Sequence, residues 1–464
     1  MPREFDVIVI GAGAAGENAA GRAAGHGLAV AIVEQELVGG DCSYWACMPS
    51  KALLRPGEVL RLAERVPGTR RAVTGGIDVE AALSWRDEMS SRWDDRWQVQ
   101  WLEENNVTLL RGHGRLSGER QVTVIDGDGQ VTAYQARRAV VVATGTVAAV
   151  PPIDGMEDVG AWTSRELTAT QRVPGRLLVL GGGAVGVEMA QAWRWLGSQQ
   201  VSLVEMEDRL LAEEEPFVGE ELGRAFQADG IEVLTGKAMV KVGREEDGSV
   251  VATLDDGSQL VGDELLVAVG RRPVTEDVGL ETVGLEPRDY LEVDDQLRVK
   301  GVAGGWLYAV GDVNGRTLLT HMGKYQARMA GDHIAGKEVV AWADHRAVPR
   351  VVFTDPRLAA VGLTERQARD QGLPVRTVSH PTGGVAGTSL LGEGMSGTSQ
   401  LIIDEDRRVV VGATFTGPIV VGELLHAATV AIVGEVTLER LWHAVPQFPT
   451  VSEVWLRLLE AYGL

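Results

Sequence analysis

Cysteine is nearly absent from this chain: only Cys42 and Cys47 occur among 464 residues. A disulfide-stapled framework is therefore excluded, and so is a structural zinc site, because no His cluster supplies the other ligands that such a site needs. Basic residues are also in deficit, with 44 Lys and Arg against 65 Asp and Glu and a formal net charge of −21. That imbalance disfavours nucleic acid and anionic membrane as partners. No apolar run approaches the length of a bilayer span. The opening residues, Met1 to Asp6, lack the basic region and apolar stretch of a signal peptide, so a cytoplasmic protein is expected.

The two cysteines lie five residues apart, a proximity that random placement gives roughly 2% of the time. A structural disulfide closing so short a loop removes little unfolded-state entropy. A redox or catalytic pair is the remaining reading. In a regular helix, residues at this spacing are separated by about 7.5 Å along the axis. That exceeds the usual Cα span of a disulfide, so the segment must be distorted to bridge. Gly39 and Gly40 before it and Pro49 after it allow that. A helix beginning nearby is expected to lower a thiol pKa.

Glycine, by contrast, is abundant, with 58 residues, and its placement is patterned. The apolar run Phe5–Ile10 leads into Gly11-Ala12-Gly13-Ala14-Ala15-Gly16, then a helix to about Gly25, then a strand Ala29–Val33 closed by Glu34. The pattern recurs: Leu177–Leu180, Gly181-Gly182-Gly183-Ala184-Val185-Gly186, a helix to about Leu196, and Val201–Val204 closed by Glu205. In each unit the first glycine makes the turn, the second lets a pyrophosphate approach, and the third packs helix on strand. The helix N-terminus supplies N–H groups to the phosphates, and the acidic residue accepts from ribose hydroxyls. Glu205, followed by Met206, Glu207 and Asp208, places negative charge where a 2′-phosphate would sit. NAD(H) is therefore expected there over NADP(H), with Arg209 the only basic residue nearby.

A chain of this length implies two to four domains. Ala82–Asn105 reads as one long amphipathic helix, with Trp85, Trp93, Trp97 and Trp101 near one packed face. After Pro349 come the short β-like runs Arg350–Thr354, Gln400–Asp404 and Val409–Phe415, and a helix at Gly422–Val433, which together read as a separate α+β domain.

With these residues in place the sequence resembles the pyridine nucleotide–disulfide oxidoreductases, the group that holds dihydrolipoamide dehydrogenase, glutathione reductase and mercuric reductase. The resemblance spans essentially the whole chain. It rests on both fingerprints, the second running on to Val187-Glu188, and on Gly39-Gly40-Asp41-Cys42 through Cys47-Met48-Pro49-Ser50-Lys51. It rests also on Ala143-Thr144-Gly145-Thr146, Gly270-Arg271-Arg272-Pro273, Tyr308-Ala309-Val310-Gly311-Asp312, Val361–Glu365 and Pro449–Glu453.

The implied fold is α/β, with two Rossmann-like dinucleotide-binding domains for FAD and NAD and a C-terminal α+β dimerisation domain. The implied division is an FAD-binding domain at 1–147 and 272–347, an NAD(H)-binding domain at 148–271, and an interface domain at 348–464. The chain would act as a homodimer on a small-molecule electron acceptor. Cys42 would be the interchange thiol and Cys47 the thiol against the flavin. Lys51 would sit near the flavin, paired with Glu188. Asp312 would hold the ribityl chain, and Leu319-Thr320-His321 would lie by the flavin pyrimidine edge. Gly40, Thr144, Gly145, Gly270, Arg271 and Gly311 complete the cofactor-binding set. No metal ligand is implied.

Two departures qualify the resemblance. Disulfide-reducing members carry His-Pro-Thr-x-x-Glu in the tail, the His serving as acid–base group and the Glu orienting it. Here Phe448 occupies the His position and Glu453 remains. His380-Pro381-Thr382 imitates the motif far upstream without its Glu and reads as an ordinary loop, and His426 and His443 read as ordinary tail histidines. The second departure is Ser43-Tyr44-Trp45-Ala46 between the cysteines, whose aromatics either pack behind the loop or stack on a flat acceptor. Mercury reduction is disfavoured, since no third cysteine serves metal delivery. The expected activity is NADH to FAD to the Cys42–Cys47 pair to an acceptor. The alternatives are a quinone, dye or metal-species reductase without thiol exchange, and an inactive FAD-binding structural subunit.

Overall fold

A computed structural model describes residues 3–464. Met1 and Pro2, which open the segment read for a signal peptide, lie outside it. The chain forms two compact units. One comprises residues up to Pro49, Asp87–Ala149 and Arg271–Asp344; the other comprises Ser50–Arg86, Val150–Gly270 and His345–Leu464.

The first unit is built on a seven-stranded sheet. Strand β1 (Arg3–Ile10) pairs in parallel with β2 (Val30–Glu34) on one side and with Val131–Val142 on the other. Val107–Arg111 extends the parallel set beyond β2, and Leu307–Ala309 pairs with the far end of Val131–Val142. The runs Val7–Ile10 and Ala139–Val142 are buried on both faces, which is why they read as continuous apolar stretches. Helix α1 (Ala14–Ala24) follows β1 and buries Gly16, Ala19, Ala20 and Ala23. These small side chains let it lie close to the sheet. The short helix α2 (Gly40–Tyr44) follows β2 in the chain. A two-stranded ribbon, Thr146–Ala148 against Arg271–Pro273, stands where the chain leaves this unit and re-enters it.

The second unit holds a four-stranded parallel sheet in the order Ile231–Thr235, Gln200–Glu205, Arg176–Leu180, Glu264–Val267. The helix Ala184–Trp195 follows its first strand, as α1 follows β1. The same unit holds a five-stranded antiparallel sheet made by the tail: Pro349–Val352, Arg357–Gly362, Val409–Gly417, Thr398–Asp404 and Val375–Pro381. The helix Val421–Val433 packs on it through Val421, Leu424, Leu425, Ala428, Ala431 and Ile432. The long helix α3 (Cys47–Arg65) contributes Leu53 and Leu54 to a core shared with Val187, Trp193, Leu203, Val352 and Leu358.

Three expectations are corrected. Ala82–Asn105 is not one helix: it is Val79–Met89 and Arg96–Glu104, separated by a turn. Ser91, Arg92 and Trp93 in that turn all adopt left-handed φ, 49°, 51° and 55°. Three such residues in a row end a right-handed helix. Nor do the tryptophans form a packed face. Trp85, Trp97 and Trp101 are exposed, and the apolar burial falls to Ala82, Leu83 and Leu102. His380 is also not in a loop: it is the penultimate residue of the strand Val375–Pro381, opposite Ser399.

Candidate active site

The two glycine turns are near copies. Gly11 has φ +97° and Gly181 φ +107°, and in each a Cβ would fall 2.5 Å from a carbonyl oxygen, of Ala143 and of Ala268. Only glycine tolerates both demands. The third glycines are closed in the same way: a Cβ on Gly16 would sit 1.9 Å from Gly11 O, and one on Gly186 1.9 Å from Gly181 O. The second glycines, Gly13 and Gly183, are different. Each caps the N-terminus of its helix in extended conformation, and a Cβ there would meet nothing within 4 Å. The open space in front of unpaired helix N–H groups fits a pyrophosphate.

The acidic residue at each strand end is fixed by the same two bonds. Glu34 Oε2 accepts from Ala12 N at 2.8 Å and Oε1 from Glu36 N at 2.7 Å. Glu205 Oε2 accepts from Gly182 N at 2.6 Å and Oε1 from Glu207 N at 2.8 Å. Both carboxylates are thus aimed across their glycine turns. Arg209 does not turn toward Glu205; it bonds Asp208 and the carbonyl of Ala212.

The redox segment is anchored on the first turn. Gly39 N donates to Ala12 O at 2.8 Å, and Gly40, at φ +61°, lies so close to Gly13 that a Cβ would come within 2.8 Å of Gly13 Cα. Helix α2 carries Cys42, the path breaks at Trp45, and α3 restarts at Cys47. The cysteines stand as thiols, without a disulfide between them. Their side chains are in hydrogen-bonding contact, and that contact first, then burial, holds the Cys42 thiol far above the usual range. The expected lowering by a helix start is therefore not what Cys42 experiences. It is the third residue of a five-residue helix, and the Cys47 sulfur and burial raise its thiol there. Cys47 is the first residue of α3, and its Sγ lies 3.2 Å from Thr320 Oγ1. Thr320 opens the helix Thr320–Ile334, with His321 exposed beside it.

Tyr44 answers one of the two questions about the aromatics. It is fully buried, and its hydroxyl donates to Val38 O at 2.9 Å. It packs behind the loop; Trp45, half-buried, meets it edge-on at 5.6 Å.

A charged cluster that the sequence did not reveal ties the redox segment to the ribbon. Arg271 Nη2 bonds Asp41 Oδ2 at 2.7 Å and Thr146 O at 2.7 Å, and its Nε donates to Thr146 Oγ1 at 2.6 Å. Thr146 Oγ1 in turn donates to Asp312 Oδ2 at 2.8 Å. Burial pushes the Asp312 carboxyl up, and the Thr146 bond and Arg271 oppose that. Nearby, Thr144 Oγ1 donates to Val274 O at 2.6 Å, Gly145 O accepts from Val274 N, and Gly311 N donates to Gln326 Oε1. Gly270 immediately precedes Arg271 with φ +128°.

In the second unit, Lys51 Nζ lies 2.6 Å from Glu188 Oε2. Glu188 is buried, and its Oε1 accepts from Phe353 N at 2.9 Å, so both carboxylate oxygens are satisfied. Lys51 stands one turn after Cys47 on α3.

Phe448 is 75% exposed, while Glu453 is 8% exposed. Glu453 Oε1 accepts from Arg457 Nη2 at 2.6 Å, and Oε2 has no hydrogen-bond partner. A buried carboxylate oxygen without a donor is costly, and a side chain able to donate would be expected beside it. Among the described residues, no group of three or more His, Cys, Asp or Glu could hold a metal ion, and no helix is long and apolar enough to cross a membrane.

The raised Cys42 pKa makes a prediction about the reduced protein. A thiol is nucleophilic only when ionised, so iodoacetamide alkylation of Cys42 is expected to keep accelerating above about pH 9, beyond the ordinary cysteine range. Peptide mapping after timed alkylation measures this, and a rate that levels off below neutrality would contradict it.

Comparison with known proteins agrees with this architecture. Residues 5–329 match the description "Pyridine nucleotide-disulphide oxidoreductase", and residues 348–458 match the dimerisation domain of that family. The chain is 35% identical to a dihydrolipoyl dehydrogenase of Thermus scotoductus, over 99% of this chain and 97% of that protein. It is 30% identical to a mercuric reductase of Staphylococcus aureus, over 97% of this chain and 81% of that protein. Among solved structures, LpdA from Mycobacterium tuberculosis is similar with a TM-score of 0.88 at 25% identity, covering 100% of both chains. The Cu(II) complex of the HOCl-induced flavoprotein disulfide reductase RclA from Escherichia coli shares the fold, with a TM-score of 0.86 at 24% identity over 99% of each chain. The family is FAD-dependent and uses NAD(P)H. With its twin nucleotide turns and paired cysteines, the chain belongs to the pyridine nucleotide–disulfide oxidoreductases and is an NAD(P)H-dependent flavoprotein disulfide oxidoreductase.

Proposed function

We propose that this protein takes electrons from NADH through FAD to the Cys42–Cys47 pair and delivers them to a flat small-molecule acceptor of the quinone type, without acid–base-assisted thiol exchange. The observation that carries this is the tail motif: a phenyl ring at Phe448 where a proton carrier is needed, and Glu453 buried with one oxygen on Arg457 and the other unmatched. Positioned acid–base groups contribute about 100- to 10,000-fold to proton-coupled steps, and phenyl contributes none.

The residues divide the work as follows. The turn Gly11-Ala12-Gly13, with Glu34, would seat the FAD pyrophosphate and ribose; Gly181-Gly182-Gly183, with Glu205, would seat those of NADH. Asp312 would hold the ribityl chain, with Arg271 and Thr146 fixing its carboxylate. Gly40, Thr144, Gly145, Gly270, Gly311, Thr320 and His321 would line the rest of the cofactor sites. When bound, the flavin supplies hydride acceptance from the nicotinamide and two-electron transfer onward. Reduction breaks the Cys42–Cys47 bond, with two electrons and one proton giving a Cys42 thiol and a Cys47 thiolate. Cys42 retains the proton because the Cys47 sulfur and burial raise its pKa. Lys51 would place a positive charge, balanced by Glu188, one helical turn from Cys47. Reoxidation closes the disulfide, passing two electrons and the Cys42 proton to the acceptor, which takes its second proton from solvent. The supporting argument for NADH over NADPH is Glu205, held facing the ribose site while Arg209 bonds elsewhere. The FAD domain at 1–147 and 272–347, the NAD domain at 148–271 and an interface domain at 348–464 are the proposed division, within a cytoplasmic homodimer.

The intact dithiol supports a second reading, a disulfide substrate attacked by Cys42. Steady-state turnover with NADH separates the two. Quinones are expected to turn over well and lipoamide poorly; lipoamide turnover at the level of a dihydrolipoamide dehydrogenase would overturn the proposal. Phe448→His would restore the His of the family's His-Pro-Thr-x-x-Glu pattern, and it is expected to raise lipoamide turnover about 10- to 100-fold. For cofactor choice, kcat/KM is expected to favour NADH over NADPH by about tenfold or more, and a preference for NADPH would refute the Glu205 argument.

A further inference from the structure

Arg357 is a buried cation that the chemistry above does not use. It is 7% exposed. One guanidinium nitrogen, Nη2, pairs with Glu58 on α3, Nη1 donates to Ile419 O at 3.2 Å, and Nε has no partner. Burying an incompletely bonded cation is unfavourable, so a compensating contact is expected. That contact is aromatic: the Arg357 guanidinium carbon lies 4.7 Å from the centroid of the Phe353 ring. The same ring carries a second cation, Lys51 Nζ at 4.8 Å.

Phe353 therefore touches both members of the Lys51–Glu188 pair. Its ring holds the ammonium, and its backbone N–H holds Glu188 Oε1 at 2.9 Å. Arg357 in turn is tied to α3, the helix that bears Lys51, through Glu58 two turns further on. Burial pulls the guanidinium below the usual arginine range, while the charges of Glu58 and then Glu188 oppose that. Arg357 is thus electrostatically linked to Glu188 as well as sterically linked to Phe353.

We propose that Arg357 is a positioning residue for the Lys51–Glu188 pair: it clamps Phe353, and so fixes the Lys51 ammonium, while adding a second positive charge to the pair's surroundings. The inference rests on the reading that Lys51 faces the flavin. A cation held on a desolvated ring is worth up to about tenfold or somewhat more in an equilibrium or rate.

The test uses the FAD-loaded holoenzyme. Arg357→Gln, Arg357→Lys, Phe353→Leu and Lys51→Met are compared by FAD content and melting temperature. They are also compared by the rate of flavin bleaching with NADH and by the midpoint pH of the long-wavelength thiolate–flavin absorbance. Arg357→Gln is expected to bind FAD, slow bleaching about tenfold and move the midpoint to higher pH, because losing a positive charge disfavours the thiolate. Arg357→Lys, which keeps the charge, is expected to recover most of the midpoint. A normal rate and midpoint in Arg357→Gln, with only the melting temperature lowered, would overturn the proposal. If Arg357→Gln does not fold, Phe353→Leu cuts the same link and must reproduce the shift; an unchanged Phe353→Leu would overturn it too. Lys51→Met separates the two levels. If Lys51→Met shifts the midpoint and Arg357→Gln does not, only this inference fails. If neither does, the placement of Lys51 by the flavin fails with it.

Discussion

Two sulfurs five residues apart on one short stretch of chain must meet, and a regular helix holds such positions too far apart to allow it. The fold solves this by ending α2 at Tyr44 and starting α3 at Cys47, so that the turn through Trp45 and Ala46 folds one thiol back on the other. Much of the surrounding structure serves that turn. Gly39 and Gly40 lie against the first nucleotide turn, where no side chain would fit between Gly40 and Gly13. Tyr44 and Asp95 grip Val38 from both sides, the tyrosine hydroxyl on its carbonyl and the carboxylate on its N–H. Asp41, next to Cys42, is held by Arg271 on the ribbon. The segment that carries the cysteines is thereby fastened to the first glycine turn, and contact with Cys47, together with burial, raises the Cys42 thiol.

The two nucleotide units repeat one local solution. Each has a glycine in left-handed conformation under a carbonyl, an open glycine at the helix start, a third glycine against the first, and a glutamate bonded back across the turn. What differs is the company each keeps. The first turn is joined to the cysteines; the second leads into the helix whose Glu188 meets Lys51 and Phe353. The chain thus carries two glycine turns of the dinucleotide-binding type and a cysteine pair, with an exposed Phe448 and a buried Glu453 in its tail.

The nucleotide turns and the break between the cysteines were legible in the sequence because their causes are local. The third glycine of each turn is closed by the carbonyl of the first, five residues back, and the cysteine spacing is a matter of covalent geometry. The turn at Ser91–Trp93 was not legible, since it contains no glycine or proline to announce left-handed backbone. Helical spacing aligned the tryptophans but carried no information about which side faces solvent. His380 resembled part of a loop because its strand, Val375–Pro381, is defined by pairing with Thr398–Asp404, a segment further along the chain. Arg357, Phe353 and the Arg271–Asp41 pair depend on contacts between segments far apart in the chain, which no motif records.

The proposed electron path requires the Cys42–Cys47 pair to fill before the flavin. Anaerobic titration of the FAD-loaded protein with NADH tests this most directly. The first equivalent is expected to open the disulfide and bring up the long-wavelength thiolate–flavin absorbance, and the flavin is expected to bleach fully only with the second. Complete bleaching by the first equivalent, with no such absorbance, would contradict it.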